Sequence, residues 1–240
     1  MSFDQSPFDV RFDWGERGLE ALGSGSDTIV IVDVLSFSTA VDVAVSRGAS
    51  VLPYRWGDDS AGEYAARKGA ILASKRGSGG YSLSPASLVK IPSGERIVLP
   101  SPNGATLSLR AASLGVTIAG CLRNAPAVGE YLRRRGGTVS VIACGERWAD
   151  GSLRPAWEDL VGAGAIIAGL SGSLSPEAQV ALASFRAAER DLARLMASCV
   201  SGRELVERGF PQDVEVAAAY GASDSVPQLA GDAFVDFSRA

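Results

Sequence analysis

Thr28 to Leu35 reads Thr-Ile-Val-Ile-Val-Asp-Val-Leu, a nearly continuous apolar run rich in β-branched residues. A strand of this kind is buried on both faces, which demands a sheet with helices packed above and below it. The rest of the chain keeps that alternation. Ser36 and Ser38 can cap a helix that reaches about Arg47 and is ended by Gly48. Further strands are predicted at 50–54, 70–74, 96–100, 116–119 and 138–144, with helices at 60–68, 103–114 and 124–135. Another helix runs from Pro155 to Leu170 and is rich in Gly and Ala, which permits close helix packing. Ser175-Pro176 opens a long helix to about Ser198, followed by a short helix at 202–208 and a final strand at 233–237. This grammar predicts a three-layer α/β/α fold with a largely parallel or mixed central sheet. It forms one unit over residues 1–240, with a division into sub-units of about 1–115 and 116–240 left open.

Composition removes several chemistries. The 240 residues include no histidine, so a His base, a His nucleophile and a His-ligated zinc are all excluded. The net charge of -4 and the lack of a basic stripe argue against nucleic acid as a partner. Three scattered cysteines, Cys121, Cys144 and Cys199, show neither zinc-site nor disulfide spacing and suit a reducing compartment. The N-terminal segment lacks the basic and apolar regions of a signal peptide, and no apolar stretch reaches the roughly 20 residues of a membrane span. A cytoplasmic protein is expected.

The chemistry concentrates where strands hand over to helices. Gly145 to Leu160 carries four carboxylates, Glu146, Asp150, Glu158 and Asp159, and two guanidiniums, Arg147 and Arg154. Mixed charge at such a junction suits a divalent cation and an anionic substrate. Asp33 ends the best strand, and Ser36, Ser38 and Thr39 follow at a helix start, where ligands of open α/β sheets and phosphates in particular bind. The lesser alternative is that Asp33 and the serines only cap the helix. Ser101-Pro102-Asn103-Gly104 makes a second turn of the same type. The Gly- and Ser-rich stretch 75–94 is long for a structureless loop, which favours a functional one.

Known phosphatase patterns narrow the choice. A cysteine phosphatase needs Arg six residues after its Cys, and Asp150 stands there relative to Cys144. A phosphoaspartate enzyme of the haloacid-dehalogenase type has a second Asp two residues on, where this chain has Leu35. No Gly-Lys-Ser or Gly-Lys-Thr of a P-loop is present. Carboxylate-held Mg²⁺ assisted by arginines survives.

The chain resembles the 2-phosphosulfolactate phosphatase family, Mg²⁺-dependent enzymes tied to coenzyme M biosynthesis in methanogens and also found in bacteria. The carriers are Val32-Asp33-Val34-Leu35 with its Ser/Thr turn, Ser101-Pro102-Asn103-Gly104, Leu122-Arg123-Asn124-Ala125, and Cys144-Gly145-Glu146 running to Glu158-Asp159-Leu160. The resemblance implies hydrolysis of 2-phosphosulfolactate to sulfolactate and phosphate with Mg²⁺. It makes Asp33, Glu158 and Asp159 the expected metal ligands and, with Arg147, the catalytic set. Ser36, Ser38, Thr39, Asn103, Gly104, Arg123, Asn124 and Arg154 become the expected substrate-binding residues. Glu158 and Asp159 are neighbours on a helix and point about 100° apart, so one is expected to reach the metal and the other to support it. The implied partner is a small anionic organophosphate, with no membrane or nucleic acid and with a homo-oligomer left open.

Three departures accompany the resemblance. Ser36 stands where typical members carry Arg. Ser74-Lys75-Arg76 replaces Gly-Glu-Arg, and Ser82 replaces an Asp. They raise an alternative, a member that keeps the fold and an anion pocket without catalysis and serves as a binding or regulatory protein.

Overall fold

The structure is a computed structural model and describes residues 3–55 and 60–238. The chain starts with β1 (Val10–Trp14) and α1 (Gly15–Leu22), then β2 (Thr28–Val32), α2 (Phe37–Ser46), β3 (Ser50–Tyr54) and α3 (Ser60–Lys68). It continues through β4 (Ile71–Leu72), α4 (Pro85–Leu88), β5 (Arg96–Pro100), α5 (Gly104–Ala111), β6 (Val116–Gly120), α6 (Ala125–Arg135) and β7 (Val139–Ala143). A two-residue hairpin, β8 (Glu146–Arg147) and β9 (Leu153–Arg154), precedes α7 (Trp157–Ile167). Then come α8 (Pro176–Ala188), α9 (Leu192–Ser198), α10 (Val200–Glu207), α11 (Pro211–Ala218), β10 (Pro227–Ala230) and β11 (Ala233–Asp236).

β2 shows why the sheet is covered on both sides. All five residues are buried. Val30 and Val32 join one core cluster with Val161 and Ile166 of α7, whereas Ile29 and Ile31 join another with Leu19 and Leu22 of α1. Successive side chains point to opposite faces, so an unbroken apolar run requires a helix layer on each. Each buried Val or Ile contributes roughly 1.5–3 kcal/mol, and β2 therefore anchors the three-layer α/β/α fold.

The strand order is β1-β7-β2-β6-β10-β11-β3-β5-β4. β1, β7, β2 and β6 pair in parallel, as do β3, β5 and β4. Between them three antiparallel steps, β6 to β10, β10 to β11 and β11 to β3, reverse the direction, so the two parallel groups run opposite ways. The sheet is mixed for this reason. A cut near residue 115 would separate β2 from both its neighbours, β6 and β7.

Several boundaries differ from the sequence reading. The strand predicted to reach Leu35 stops at Val32, because the Asp33 N–H turns to the Ser38 hydroxyl (3.0 Å) and leaves the ladder. The helix predicted over 175–198 is broken by a 3₁₀ turn at Glu189–Asp191. No Pro or Gly marks that break; Phe185, Ala188, Leu192 and Met196 all enter one core, and tertiary packing sets it. β1, α1, α11 and β10 were not anticipated. The small residues of α7 do permit a close approach: a Cβ on Gly164 would collide with the Ala181 carbonyl of α8.

Candidate active site

Asp33 leaves the end of β2 and is almost fully buried, at 7% exposure. Its Oδ1 accepts the Phe37 N–H at the start of α2 (3.1 Å), and its Oδ2 accepts the Gly104 N–H at the start of α5 (3.0 Å). Two helix N-termini, one from each parallel group, thus converge on one carboxylate, and their free N–H groups favour negative charge there. Gly104 is required at this point, since a Cβ would run into the Phe37 ring. Gly104→Ala is expected to push α5 away from Asp33 and lower kcat at least tenfold in a phosphate-release assay, for loss of one buried charge-assisted hydrogen bond. Unchanged kcat would show that this contact does not position Asp33.

Asp159, in the first turn of α7, uses both oxygens on backbone: Oδ1 accepts the Val34 N–H (2.7 Å) and Oδ2 the Gly145 N–H (2.8 Å). It fixes the turn after β2 against the turn after β7. Gly145 meets the demand of that second turn with φ of +64°. Glu158, one residue earlier, is also buried and lies close enough to influence Asp33, Glu146 and Asp159. Glu146 accepts the Asn103 side-chain N–H (3.2 Å).

Four acids gathered at one rim are electrostatically uncomfortable. Burial, reinforced by the Glu158 charge, pushes Asp33 up to about 6 even though the Phe37 and Gly104 N–H groups oppose it. Burial, with the charges of Asp33 and Glu158, pushes Glu146 up to about 7 against the pull of Arg154. Asp159 lies well above the usual carboxylate range, from burial first and then Asp33 and Glu158. Desolvation and like charge act together on all three, and a cation at this rim would relieve both.

The facing wall comes from the loop after β4. Arg76 donates to the Ser36 hydroxyl (3.0 Å) and to the Leu83 carbonyl (3.4 Å), and it forms an ion pair with Asp213 of α11. Asp213, buried, also accepts the Ser84 hydroxyl and the Ala86 N–H (3.1 Å), so a single acid clamps the loop to the C-terminal helices. The Phe210 ring lies 5.4 Å from the Arg76 guanidinium. Burial and the nearby Arg208 charge pull Arg76 down to about 10, which still leaves it cationic at neutral pH. A cavity of about 520 Å³ opens here, walled by Leu35, Lys75, Arg76, Glu146, Ser201 and Arg208 among others.

The other expected site residues are distributed differently. Ser38 and Thr39 are fully buried, and their hydroxyls bind the Ile31 (2.9 Å) and Val34 (2.7 Å) carbonyls, shaping the turn that presents Asp33. Asn124 is also fully buried and bridges the Cys121 N–H (2.9 Å) and the Ala119 carbonyl (3.2 Å). Arg123 pairs with the buried Asp42 (2.8 Å), which also accepts the Ser225 hydroxyl (2.8 Å). None of these four lines the cavity. Arg147 bonds the Gly151 carbonyl (3.0 Å) and pairs with Glu16 (3.5 Å) beside a second cavity of about 280 Å³, which Asn103 and Glu146 also line. Arg154 donates to Ser201 (3.2 Å) beneath the Trp148 ring. Sequence reasoning missed Arg76, Arg208 and Asp213 and gave Glu146 no role of its own. The length of the loop that carries Arg76 was the available signal.

Among the described residues, no group of three or more Cys, Asp or Glu side chains is arranged to hold a metal ion alone. The expected trio of Asp33, Glu158 and Asp159 is therefore not assembled as a ligand set; Asp33 and Asp159 each already accept two backbone N–H groups, one on each oxygen, which leaves a second lone pair on each oxygen for an ion. Mg²⁺ does not need such a cage: one or two carboxylates, several waters and substrate phosphate oxygens suffice. Asp33 and Glu158, crowded by like charge and buried, fit that lesser demand.

Buried acids thus lie at the rim of a helix-covered sheet, beside a cavity that carries Lys75, Arg76 and Arg208. The family model described as 2-phosphosulpholactate phosphatase matches residues 19–232, and the chain belongs to this family of phosphoric monoester hydrolases. It is 31% identical to the 2-phosphosulfolactate phosphatase of Methanothermobacter thermautotrophicus over 210 residues, covering 85% of this chain and 87% of the relative. It is 30% identical to the probable 2-phosphosulfolactate phosphatase of Carboxydothermus hydrogenoformans over 220 residues, 87% and 89% of the two chains. The probable enzyme of Gloeobacter violaceus is 28% identical over 212 residues, 84% and 88%. Among the described residues, no helix is long and apolar enough to cross a membrane.

Proposed function

We propose that this chain is a Mg²⁺-dependent phosphatase of a small anionic phosphate ester, with 2-phosphosulfolactate as the first substrate to test. The observation that carries this reading is Asp33, fixed by two helix N-termini within a crowd of buried acids and opposite the Arg76 loop. Asp33 and Glu158 would hold the ion, which supplies Lewis-acid polarisation of the phosphoryl group and acidifies a bound water. Arg76 brings positive charge to the transferring phosphoryl oxygens, a planar fork being suited to tetrahedral oxyanions. Ser36, already bonded to Arg76, orients that fork from the Asp33 turn. Glu146, whose side chain accepts the Asn103 side-chain N–H at the same rim, would hand a proton to the departing alcohol oxygen. Ester and water then give alcohol and inorganic phosphate. Three unpaired cysteines and the absence of a membrane-length helix among the described residues support action in the cytoplasm.

The test is a phosphate-release screen of 2-phosphosulfolactate and other small esters, run with Mg²⁺ and with chelator, alongside calorimetric titration of Mg²⁺. Metal-dependent release and Mg²⁺ binding are expected. Tight ester binding with no release would convert the assignment to an anion-binding family member without catalysis, the reading that Ser36, Lys75 and Ser82 raise.

A further inference from the structure

We propose that Arg123 is a positioning residue: its ion pair with Asp42 latches α11 to α2, and α11 in turn sets where Arg76 stands relative to Asp33. The proposal rests on the phosphatase reading of the cavity beside Arg76 and gives a role to a guanidinium that does not line that cavity.

Each link of the latch is a hydrogen bond. Arg123 lies in the turn after β6, and its Nε donates to Oδ2 of Asp42 in α2 (2.8 Å). A terminal guanidinium N–H of the same side chain donates to the Val216 carbonyl of α11 (3.4 Å). Asp42 is fully buried, and its other oxygen accepts the Ser225 hydroxyl (2.8 Å). The chain leaving α11 is stitched to the same turn, through the Gly221 N–H to the Leu122 carbonyl (3.2 Å) and the Ser223 N–H to the Arg123 carbonyl (3.1 Å). The C-terminal end of α11 is thus tied both to α2 and to the turn after β6. Asp213, in the first turn of the same helix, is the acid that holds Arg76.

Both ends of this series reach the site. α2 begins at Phe37, whose N–H holds Asp33, and Asp42 lies about 7.5 Å further along the same axis. α11 has only eight residues, so a shift at Val216 is carried to Asp213. Its apolar contacts, through Val214 and Ala217, do not fix such a shift, because hydrophobic burial has no direction. A hydrogen-bonded guanidinium does. A buried ion pair gains little stability over an apolar pair of similar volume, and fixing register is its best-attested use.

The test is a double-mutant cycle on kcat in the phosphate-release assay. Asp42→Asn with Arg123→Met removes the latch and strands no charge, and it is made in the parent and in the Arg76→Met, Asp213→Asn protein. In the parent it should lower kcat by about tenfold or more, the scale on which a small misplacement from a distant change acts. In the second protein it should change kcat by less than about twofold, since the group it positions is gone. Equal losses in the two, as a merely structural role would give, or no loss in the parent, would overturn the proposal. Calorimetric Kd values for inorganic phosphate are read through the same cycle. If the parent hydrolyses no ester, the phosphatase reading falls and the Kd cycle alone decides the latch. Phosphate binding weakened only where Arg76 is present supports it, and equal weakening overturns it. A thermal unfolding scan verifies that each protein is folded. Should the latch variant not fold, Arg123→Lys, which keeps the Asp42 charge matched without the fork to Val216, takes its place in the cycle.

Discussion

Asp33→Asn is expected to remove turnover, with kcat falling roughly 10³-fold or more, as when a group acting chiefly in the transition state is lost. The side chain keeps its shape, and its oxygen can still accept the Phe37 N–H. The new amide N–H₂ faces the Gly104 N–H, donor against donor, where a 3.0 Å hydrogen bond now stands. That loss, about 1–3 kcal/mol, is offset by removing a buried charge from the neighbourhood of Glu158. The variant should therefore stay folded while failing to bind Mg²⁺ in a calorimetric titration.

The same carboxylates set a pH dependence of stability. Asp33 moves from 3.8 to about 6 on folding, and Glu146 from 4.5 to about 7. Raised carboxyl values mean that the folded state binds the proton more tightly than the unfolded chain. Their ionisation is a folded-state penalty, absent below about pH 4, growing as pH rises through 6 and 7, and complete above that. In metal-free buffer, Tm should fall across this window, and Asp33→Asn should flatten the fall. Added Mg²⁺ should restore Tm most at the alkaline end, where both groups are charged. A kcat within tenfold of the parent, or a metal-free Tm that rises across the window, would remove Asp33 from the centre of the mechanism.

Much of the architecture was legible because burial writes itself into short segments. Thr28 to Val32 could only be a strand covered on both faces, and the polar turns after it marked where the sheet opens. What periodicity could not convey was the join between the two parallel groups. β10 and β11 contact β6 and β3 by single bridges, and no local pattern announces a hairpin inserted from the far end of the chain. The site divides in the same way. Asp33, Glu158 and Asp159 were visible as acids at strand-to-helix junctions. Ser38, Thr39 and Asn124 looked like ligands because the hydroxyl and amide groups that bind anions are also those that satisfy turn backbone. Only the coordinates separate the two uses, by showing which oxygens already have partners. Arg76 was hidden for the opposite reason. Ser74-Lys75-Arg76 was noted only as a departure from Gly-Glu-Arg and not for the Arg it keeps, and the position of that Arg depends on Asp213, 137 residues away.

That dependence makes Asp213→Asn the second large effect. The substitution retains an oxygen for the Ser84 hydroxyl and the Ala86 N–H, so the α4 end of the clamp survives. It removes the charge facing Arg76, whose side chain is only 13% exposed and already has Arg208 for a neighbour. An unpaired buried guanidinium costs about 3–5 kcal/mol, because desolvation is no longer compensated. For a chain of this size, 1 kcal/mol shifts Tm by about 2–4 °C, so a fall of roughly 6–20 °C is expected. The double variant Arg76→Met, Asp213→Asn should recover much of that Tm, since no charge is then stranded. It should not recover activity, because the fork that meets the phosphoryl group and Ser36 is gone. Stability and catalysis therefore part company at this pair. A single variant as stable as the parent would mean that Arg76 swings out to solvent, and the loop wall would then lose its claim to position the substrate.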